Sequence, residues 1–159
     1  MLAGAPRSPG NRAGSLRLVG RGAPNTTVAD AAARLVFDPA NSFVVGAFVD
    51  GQLIGTAAFY RERGLKERHK GRIWGVYVTL GMRGKGIGRR NLKVLLERAA
   101  AIEGIEQILL SVNPAQPAAT KLYESLGFRS FGHERRALRV GDRYVDEEHM
   151  VLYVDSSAM

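Results

Sequence analysis

Val76-Tyr77-Val78-Thr79-Leu80-Gly81-Met82-Arg83-Gly84-Lys85-Gly86-Ile87-Gly88-Arg89-Arg90 is the stretch that decides the fold. An apolar, β-branched run ends in a turn, and the turn becomes a glycine-rich, basic opening to a helix. Such a junction presents bare backbone N–H groups and positive charge to a phosphate group. Gly86 and Gly88 carry no side chain to hold a bulky anion away. Arg83, Lys85, Arg89 and Arg90 add charge around the first turn. Two phosphate-binding templates fail on spacing. A P-loop needs G-x-x-x-x-G-K-S/T, but Lys85 is followed by Gly86, and the residue five before Gly84 is Thr79. A dinucleotide fingerprint needs G-x-G-x-x-G, but Gly84, Gly86 and Gly88 alternate and position 89 is arginine.

Outward from this junction the chain alternates strand and helix signals. Ser15 to Val19 reads as a short strand. Asn25, Thr26 or Thr27 can cap a helix running to Phe37, which Asp38-Pro39 ends. Ser42–Val49 and Gln52–Arg61 read as strands joined at Asp50-Gly51, a hairpin signal. A charged loop over 62–70 leads to a strand over 71–78, in which Gly75 suggests a bulge. The helix after the glycine loop is expected over 86–103, with Leu92, Leu95, Leu96, Ala99 and Ile102 facing the core and Gly104 ending it. A strand over 106–112 follows, with Ile108, Leu110 and Val112 on one face. A second helix covers 115–126, with Pro114 or Pro117 in its first turn and Gly127 after its end. A last hairpin runs 128–140 and 143–154 through Gly141-Asp142. The pattern gives an α+β, or mixed α/β, fold.

The loop Arg83-Gly84-Lys85-Gly86-Ile87-Gly88 resembles the acyl-CoA pyrophosphate loop of the GNAT superfamily of N-acyltransferases, whose core pattern is R/Q-x-x-G-x-G/A. Arg83, Gly86 and Gly88 match it at every fixed position. Leu122-Tyr123-Glu124-Ser125-Leu126-Gly127-Phe128 is similar to that family's L-Y-E-x-x-G-F block, in the expected order downstream. The resemblance covers about Ser42 to Val154. It implies a three-layer fold, with a central, mostly antiparallel sheet that splays open and is flanked by helices. It also implies that acetyl-CoA binds as cosubstrate. Val76, Tyr77 and Val78 would meet the pantetheine arm through their backbone. Arg83, Gly84, Lys85, Gly86, Ile87, Gly88 and Arg89 would meet the pyrophosphate, with Gln116 a further cofactor contact. No metal is expected.

The implied reaction is transfer of an acetyl group from a thioester to a primary amine. The amine must shed a proton, because an alkylamine with a pKa of about 10 is mostly protonated at pH 7. The oxyanion must be stabilised, and a backbone N–H near Val78 is the expected donor. The leaving thiolate must be protonated. The resemblance places Tyr123 beside the thioester sulfur, and a neutral phenol can give that proton. The base is less well marked. Some family members carry a glutamate five residues ahead of an asparagine, and aligned on Tyr123 those positions hold Ser111 and Gln116. Asn113 lies three residues early for that asparagine. The other usual base position falls at Lys70-Gly71-Arg72, which has no carboxylate. Glu62, His69, Asp146, Glu147 and His149 are the replacements, beside a water relay; the trio Asp146-Glu147-Glu148 also reads as a solvated edge. A catalytically weak acyl-CoA-binding module is the alternative reading.

Composition bounds these readings. The chain has 159 residues, 45% hydrophobic and 24% charged, which is ordinary for one globular domain. We expect a flexible basic tail over 1–14 and a single domain over 15–159. No apolar run approaches the roughly 20 residues of a membrane span, and the N-terminal stretch lacks the apolar region of a secretory signal. A cytoplasmic protein is the expectation. With no cysteine in the chain, no acyl-cysteine intermediate can form, so direct transfer in a ternary complex is the expected route. The net charge is +8, but the cations are not gathered in one run and no nucleic-acid-binding motif is present. A polyanionic cofactor is the expected partner rather than nucleic acid. The acceptor cleft is either open or covered by a partner subunit of a homodimer.

Overall fold

The computed structural model describes Asp38 and residues 40–154. The expected tail over 1–14, the strand over 15–19 and the helix ending at Phe37 lie outside the described residues. Strands β1 (Ser42–Val49) and β2 (Gln52–Arg61) form a hairpin, and β3 is Lys70–Val78. A short turn of 3-10 helix (Leu80–Met82) leads to helix α1 (Ile87–Ala100). Strand β4 (Gln107–Val112), helix α2 (Pro117–Ser125) and the hairpin β5 (Arg129–Val140) and β6 (Arg143–Tyr153) complete the described chain. The six strands make one sheet in the order β1-β2-β3-β4-β6-β5. All neighbours are antiparallel except β3 and β4. This is the α+β fold with an open, splayed sheet that the sequence predicts.

Both hairpin turns follow their sequences. Asp50 and Gly51 both have positive φ (48° and 76°), as a type I′ turn demands, and Gly141 takes φ 62° at the first central position of its turn. Helix α1 stops three residues short of the expected end, with Ala101 as its C-cap. Ile102 still packs against the core, so the chain leaves the helix to bury it before turning at Gly104. Leu92, Leu95 and Ala99 are fully buried. With Ala57, Phe59, Ile108, Leu110, Val112, Tyr123, Phe128 and Met150 they form one core. Both helices therefore pack on the same side of the sheet, and burying Leu92 and Leu95 stabilises that packing by about 2–3 kcal/mol each.

Two departures from a regular sheet shape the site. The first is in β3. Thr56 pairs with Tyr77 and Ala58 pairs with Trp74, so Ala57 alone faces both Gly75 and Val76. Gly75 has φ 60°, a conformation an L side chain resists, which is why glycine holds the first position of this bulge. Thr56 Oγ1 donates to the Gly75 carbonyl at 2.9 Å and fixes the distortion. The bulge shifts the alternation by one residue, so that Val76 rejoins Ile73 against the core.

The second departure is between β3 and β4. They pair only at Lys70–Gln107, Gly71–Ile108 and Arg72–Leu109. Beyond these pairs, β3 runs on to Val78 and β4 to Val112 without meeting. The result is a slot in the middle of the sheet, walled by 73–78 on one side and 110–112 on the other.

Candidate functional site: a slot in the sheet and a helix opening

The β3 wall of the slot presents backbone. Thr79 N donates to Ile54 O at 2.8 Å, which makes Gly55–Val78 a non-hydrogen-bonded pair. The N–H and C=O of Val78 therefore point away from β2 and into the slot. The Val78 carbonyl accepts from Arg83 Nε at 2.9 Å. The Val76 side chain packs on the core, and its strand lines the slot.

The slot leads to the start of α1. Gly86 is the N-cap, with φ 77° and no side-chain cap. The first bond closing the helix runs from Arg90 N to Gly86 O at 3.1 Å. The amides of Ile87, Gly88 and Arg89 thus have no acceptor within the helix. Space is open where a Cβ would stand at Gly84 and Gly86. At Gly88 a Cβ would lie 3.6 Å from both Leu122 Cδ2 and Val78 Cγ2. So α1, α2 and the end of β3 converge at Gly88.

Electrostatics favours an anion at this point. The first turn of α1 holds no acidic residue, while Arg89 and Arg90 lie in it. Cations at a helix N-terminus oppose the macrodipole, and an anion bound there relieves the conflict. Arg83, Gly84, Lys85, Gly86 and Arg89 are exposed, and Ile87 and Gly88 are half-buried. The basic side chains also brace the loop. Arg83 holds the Val78 carbonyl and lies 5.9 Å from the Tyr77 ring centroid. Arg89 Nη1 donates to Ser125 Oγ at 2.6 Å, which in turn donates to Leu122 O at 2.7 Å. Lys85 Nζ lies 3.8 Å from Met82 Sδ.

Tyr123 on α2 is 7% exposed and packs edge-on to Phe128, with ring centroids 6.0 Å apart. Desolvation by this burial pushes its hydroxyl up to about 12. Among the described residues that hydroxyl has no hydrogen-bond partner. Gln116 is exposed at the N-cap of α2. Asn113 is used locally, its Oδ1 accepting from Ala115 N at 2.8 Å.

The structure sorts the replacement bases. Glu62 is held by Arg72 at 2.5 Å, and His69 precedes β3 with its carbonyl accepting from Glu106 and Gln107. Both stand at the closed end of the slot. The trio 146–148 is divided by the strand period: Asp146 and Glu148 bind His133 at 3.1 and 3.0 Å. His149 lies elsewhere, with Nδ1 2.8 Å from Ser111 Oγ and Nε2 2.9 Å from Glu134 Oε2. Glu134 carries no signal in the sequence, because only the register of β5 on β6 brings it there.

No helix among the described residues is long and apolar enough to cross a membrane. A profile described as the acetyltransferase (GNAT) family matches residues 20–128. The N-alpha-acetyltransferase RimI of Mycobacterium tuberculosis is 36% identical over 107 residues, covering 67% of this chain and 64% of that protein. The spermine/spermidine N(1)-acetyltransferase of Bacillus subtilis is 31% identical over 91 residues, covering 55% of this chain and 60% of that protein. The chain thus spans less than two thirds of the length of either curated relative. The structure of yncA from Salmonella typhimurium, a putative acetyltransferase with its cofactor acetyl-CoA, superposes with a TM-score of 0.70 at 24% identity, over 82% of this chain and 77% of that one. The profile match spans well over half of the residues, and the chain belongs to the GNAT acetyltransferase family.

Proposed function

We propose that this protein transfers an acetyl group from acetyl-CoA to a primary amine, by direct attack within a ternary complex. The observation that carries the reading is the continuity of the slot with the helix opening. The unpaired edge of β3 beyond Arg72 leads to the uncapped amides of Ile87, Gly88 and Arg89. An extended amide-bearing arm fits the first, and a diphosphate fits the second. In this reading Val76 and Val78 meet the pantetheine arm, while Tyr77, expected to do so from the sequence, turns its backbone to Thr56 of β2; Gly84 to Arg89 cradle the diphosphate with Arg83. Gln116, exposed at the N-cap of α2, is a further cofactor contact in this reading.

The Val78 N–H, aimed into the slot, is the donor for the tetrahedral oxyanion. Tyr123 is the acid for the leaving thiolate. Its burial keeps the proton on the phenol, and the same dry surroundings make a thiolate a stronger base, so the transfer remains favourable. The relatives above are named for N(1)-acetylation of spermine and spermidine and for N-alpha-acetylation; an amine nitrogen is what these names share, and a primary amine is the acceptor class proposed.

Calorimetric titration with acetyl-CoA tests the cofactor half; no binding under saturating conditions would refute it. Thiol release in the presence of spermidine or an alanine-ended peptide tests the acceptor half. Ser111 at the position of the family's glutamate favours one rival, an acyl-CoA-binding module with little turnover. Binding without thiol release for any amine would establish that rival.

A further inference from the structure

Acetyl transfer to an ammonium needs a proton acceptor on the side from which the amine arrives. The α1 and α2 side of the slot is filled by the core, so an amine reaches the thioester from the opposite face. Leu110 and Val112 face the core, and Ser111 between them therefore faces the other way. It stands on β4 two residues beyond the last β3–β4 pair, on the wall of the slot. Across the sheet it is paired with His149 of β6.

The hydrogen bonds in this group run in one direction only. A carboxylate can only accept, so the contact of Glu134 Oε2 with His149 Nε2 at 2.9 Å requires the ring hydrogen on Nε2. The lone pair of the neutral ring is then on Nδ1, and Ser111 Oγ–H donates to it at 2.8 Å. The carboxylate thereby fixes the tautomer and orientation of the ring. The other groups facing the ring are the Phe131 ring, 6.1 Å between centroids, and Glu147, with an oxygen within 4.8 Å. The His149 side chain is 20% exposed and that of Glu134 43%, so a captured proton has a route to water.

We propose that His149, oriented by Glu134 and reached through the Ser111 hydroxyl, takes the proton that the acceptor ammonium loses before attack. This rests on the acetyl-transfer reading above. An N–H bond of the ammonium breaks as its proton passes to Ser111 Oγ, and the serine O–H bond breaks as its own proton passes to His149 Nδ1. The serine is regenerated, the ring becomes imidazolium beside Glu134, and the freed amine lone pair attacks the thioester carbonyl. On collapse the C–S bond breaks and the thiolate takes the Tyr123 proton, the second proton shed by the nitrogen returns to the tyrosinate, and the imidazolium releases its own proton to water. Ser111 touches the amine, His149 stores the proton, and Glu134 is a positioning residue.

The test combines kinetics with an acceptor-independent measurement. With acetyl-CoA and spermidine or an alanine-ended peptide, His149→Gln is expected to lower kcat/KM at pH 7 by about 10²–10⁴-fold. Its acetyl-CoA affinity should equal the wild type's. Its rate should keep rising with pH where the wild type levels off, because only solvent remains to deprotonate the ammonium. Nitrogen NMR of labelled histidine should find His149 as the Nε2–H tautomer in the wild type, and Glu134→Ala, which removes the acceptor, should erode that preference and lower kcat/KM with acetyl-CoA affinity unchanged. Failure of the wild type to bind acetyl-CoA would defeat the acetyl-transfer reading, whereas binding and turnover with an unaltered His149→Gln profile would defeat this one alone. An Nδ1–H tautomer in the wild type would also overturn it. So would an acetyl group on Ser111 after incubation with acetyl-CoA alone, which would make the serine a nucleophile. Turnover abolished by EDTA and restored by zinc would assign Glu134, Glu147 and His149 to a cation instead.

Discussion

Tyr123→Phe should move alkaline stability and activity in opposite directions. The residue is 7% exposed, and among the described residues nothing bonds to its hydroxyl, whose oxygen keeps contact with solvent. A hydroxyl that bonds to no protein group contributes little to the fold, so its removal should leave stability at pH 8 within about 1 kcal/mol of the wild type. Alkaline pH sharpens the expectation. Desolvation raises the phenol from 10.0 to about 12. A group whose pKa is raised on folding contributes stability that is fully present below its unfolded value and lost as pH rises through its folded value. Two pH units correspond to about 3 kcal/mol, of which about half is lost by pH 11. Urea unfolding of the wild type and of Tyr123→Phe, at pH 8 and pH 11, reads this directly: the variant should gain on the wild type by roughly 1 kcal/mol or more between the two. Turnover should fall about 10²-fold or more, with acetyl-CoA affinity within a few-fold of wild type. Unchanged turnover would refute Tyr123 as the acid. A loss of stability above about 1 kcal/mol at pH 8 would refute the unpartnered hydroxyl.

Three further predictions concern the loop, the core and the last hairpin. Gly86→Ala should destabilise the protein by about 1 kcal/mol, because a Cβ there meets open space but φ is 77°, and should weaken acetyl-CoA binding at least about 10-fold in calorimetry by disturbing the uncapped amides; Gly88→Ala, with its Cβ at ordinary contact distance, should leave both nearly unchanged. Equal affinities in the two variants would count against the loop as the diphosphate site. Gly71→Ala should cost about 3 kcal/mol in urea denaturation, since its Cβ would come within 2.2 Å of the fully buried Phe59 ring; a neutral result would disprove the register of β2 on β3. His133 should titrate above 6.5 by NMR, raised chiefly by its hydrogen bond to Glu148 and then by that to Asp146, and Glu148→Gln should bring it back. The His133 contribution is present below the ordinary imidazole value and lost as pH rises through the raised one. Glu148, held low first by the Ser130 hydroxyl, and Asp146, held low first by the Arg136 amide, lose theirs as pH falls through their lowered values. The hairpin should therefore be most stable in mildly acidic solution, and a melting profile that rises from pH 6 to 8 would contradict this.

The backbone geometry of the proposed cofactor half of the site was largely legible because it is built from local chain conformation. Gly75 announced the bulge, the glycine loop the opening of α1, and Asp50-Gly51 and Gly141-Asp142 the two turns. Each is a backbone requirement that one residue type meets. The periodicity of Leu92, Leu95 and Ala99 similarly fixed the buried face of α1. The early end of α1 was not legible, since Ile102 and Gly104 fit a longer helix as well as a turn that buries the isoleucine. The slot itself depends on where two non-adjacent strands stop pairing, and no residue in β3 or β4 states that on its own.

The acceptor half resisted for a different reason. Its groups are assembled by register across three strands, and register in β5 is reset twice, between Ser130 and Gly132 and between Glu134 and Leu138. A slip of one residue reverses the face on which every side chain lies. Read as a run of letters, Asp146, Glu147 and Glu148 form one acidic edge; the strand period sets Asp146 and Glu148 on one face, bonded to His133, and Glu147 on the other, beside His149. The same geometry turns the apparent defect at Ser111 into a connection. A serine is no base, but a serine paired across the sheet with a histidine whose far nitrogen is held by a carboxylate is the near end of one. Loss of the glutamate on β4 therefore need not mean loss of the chemistry, since the proton acceptor can stand one strand away.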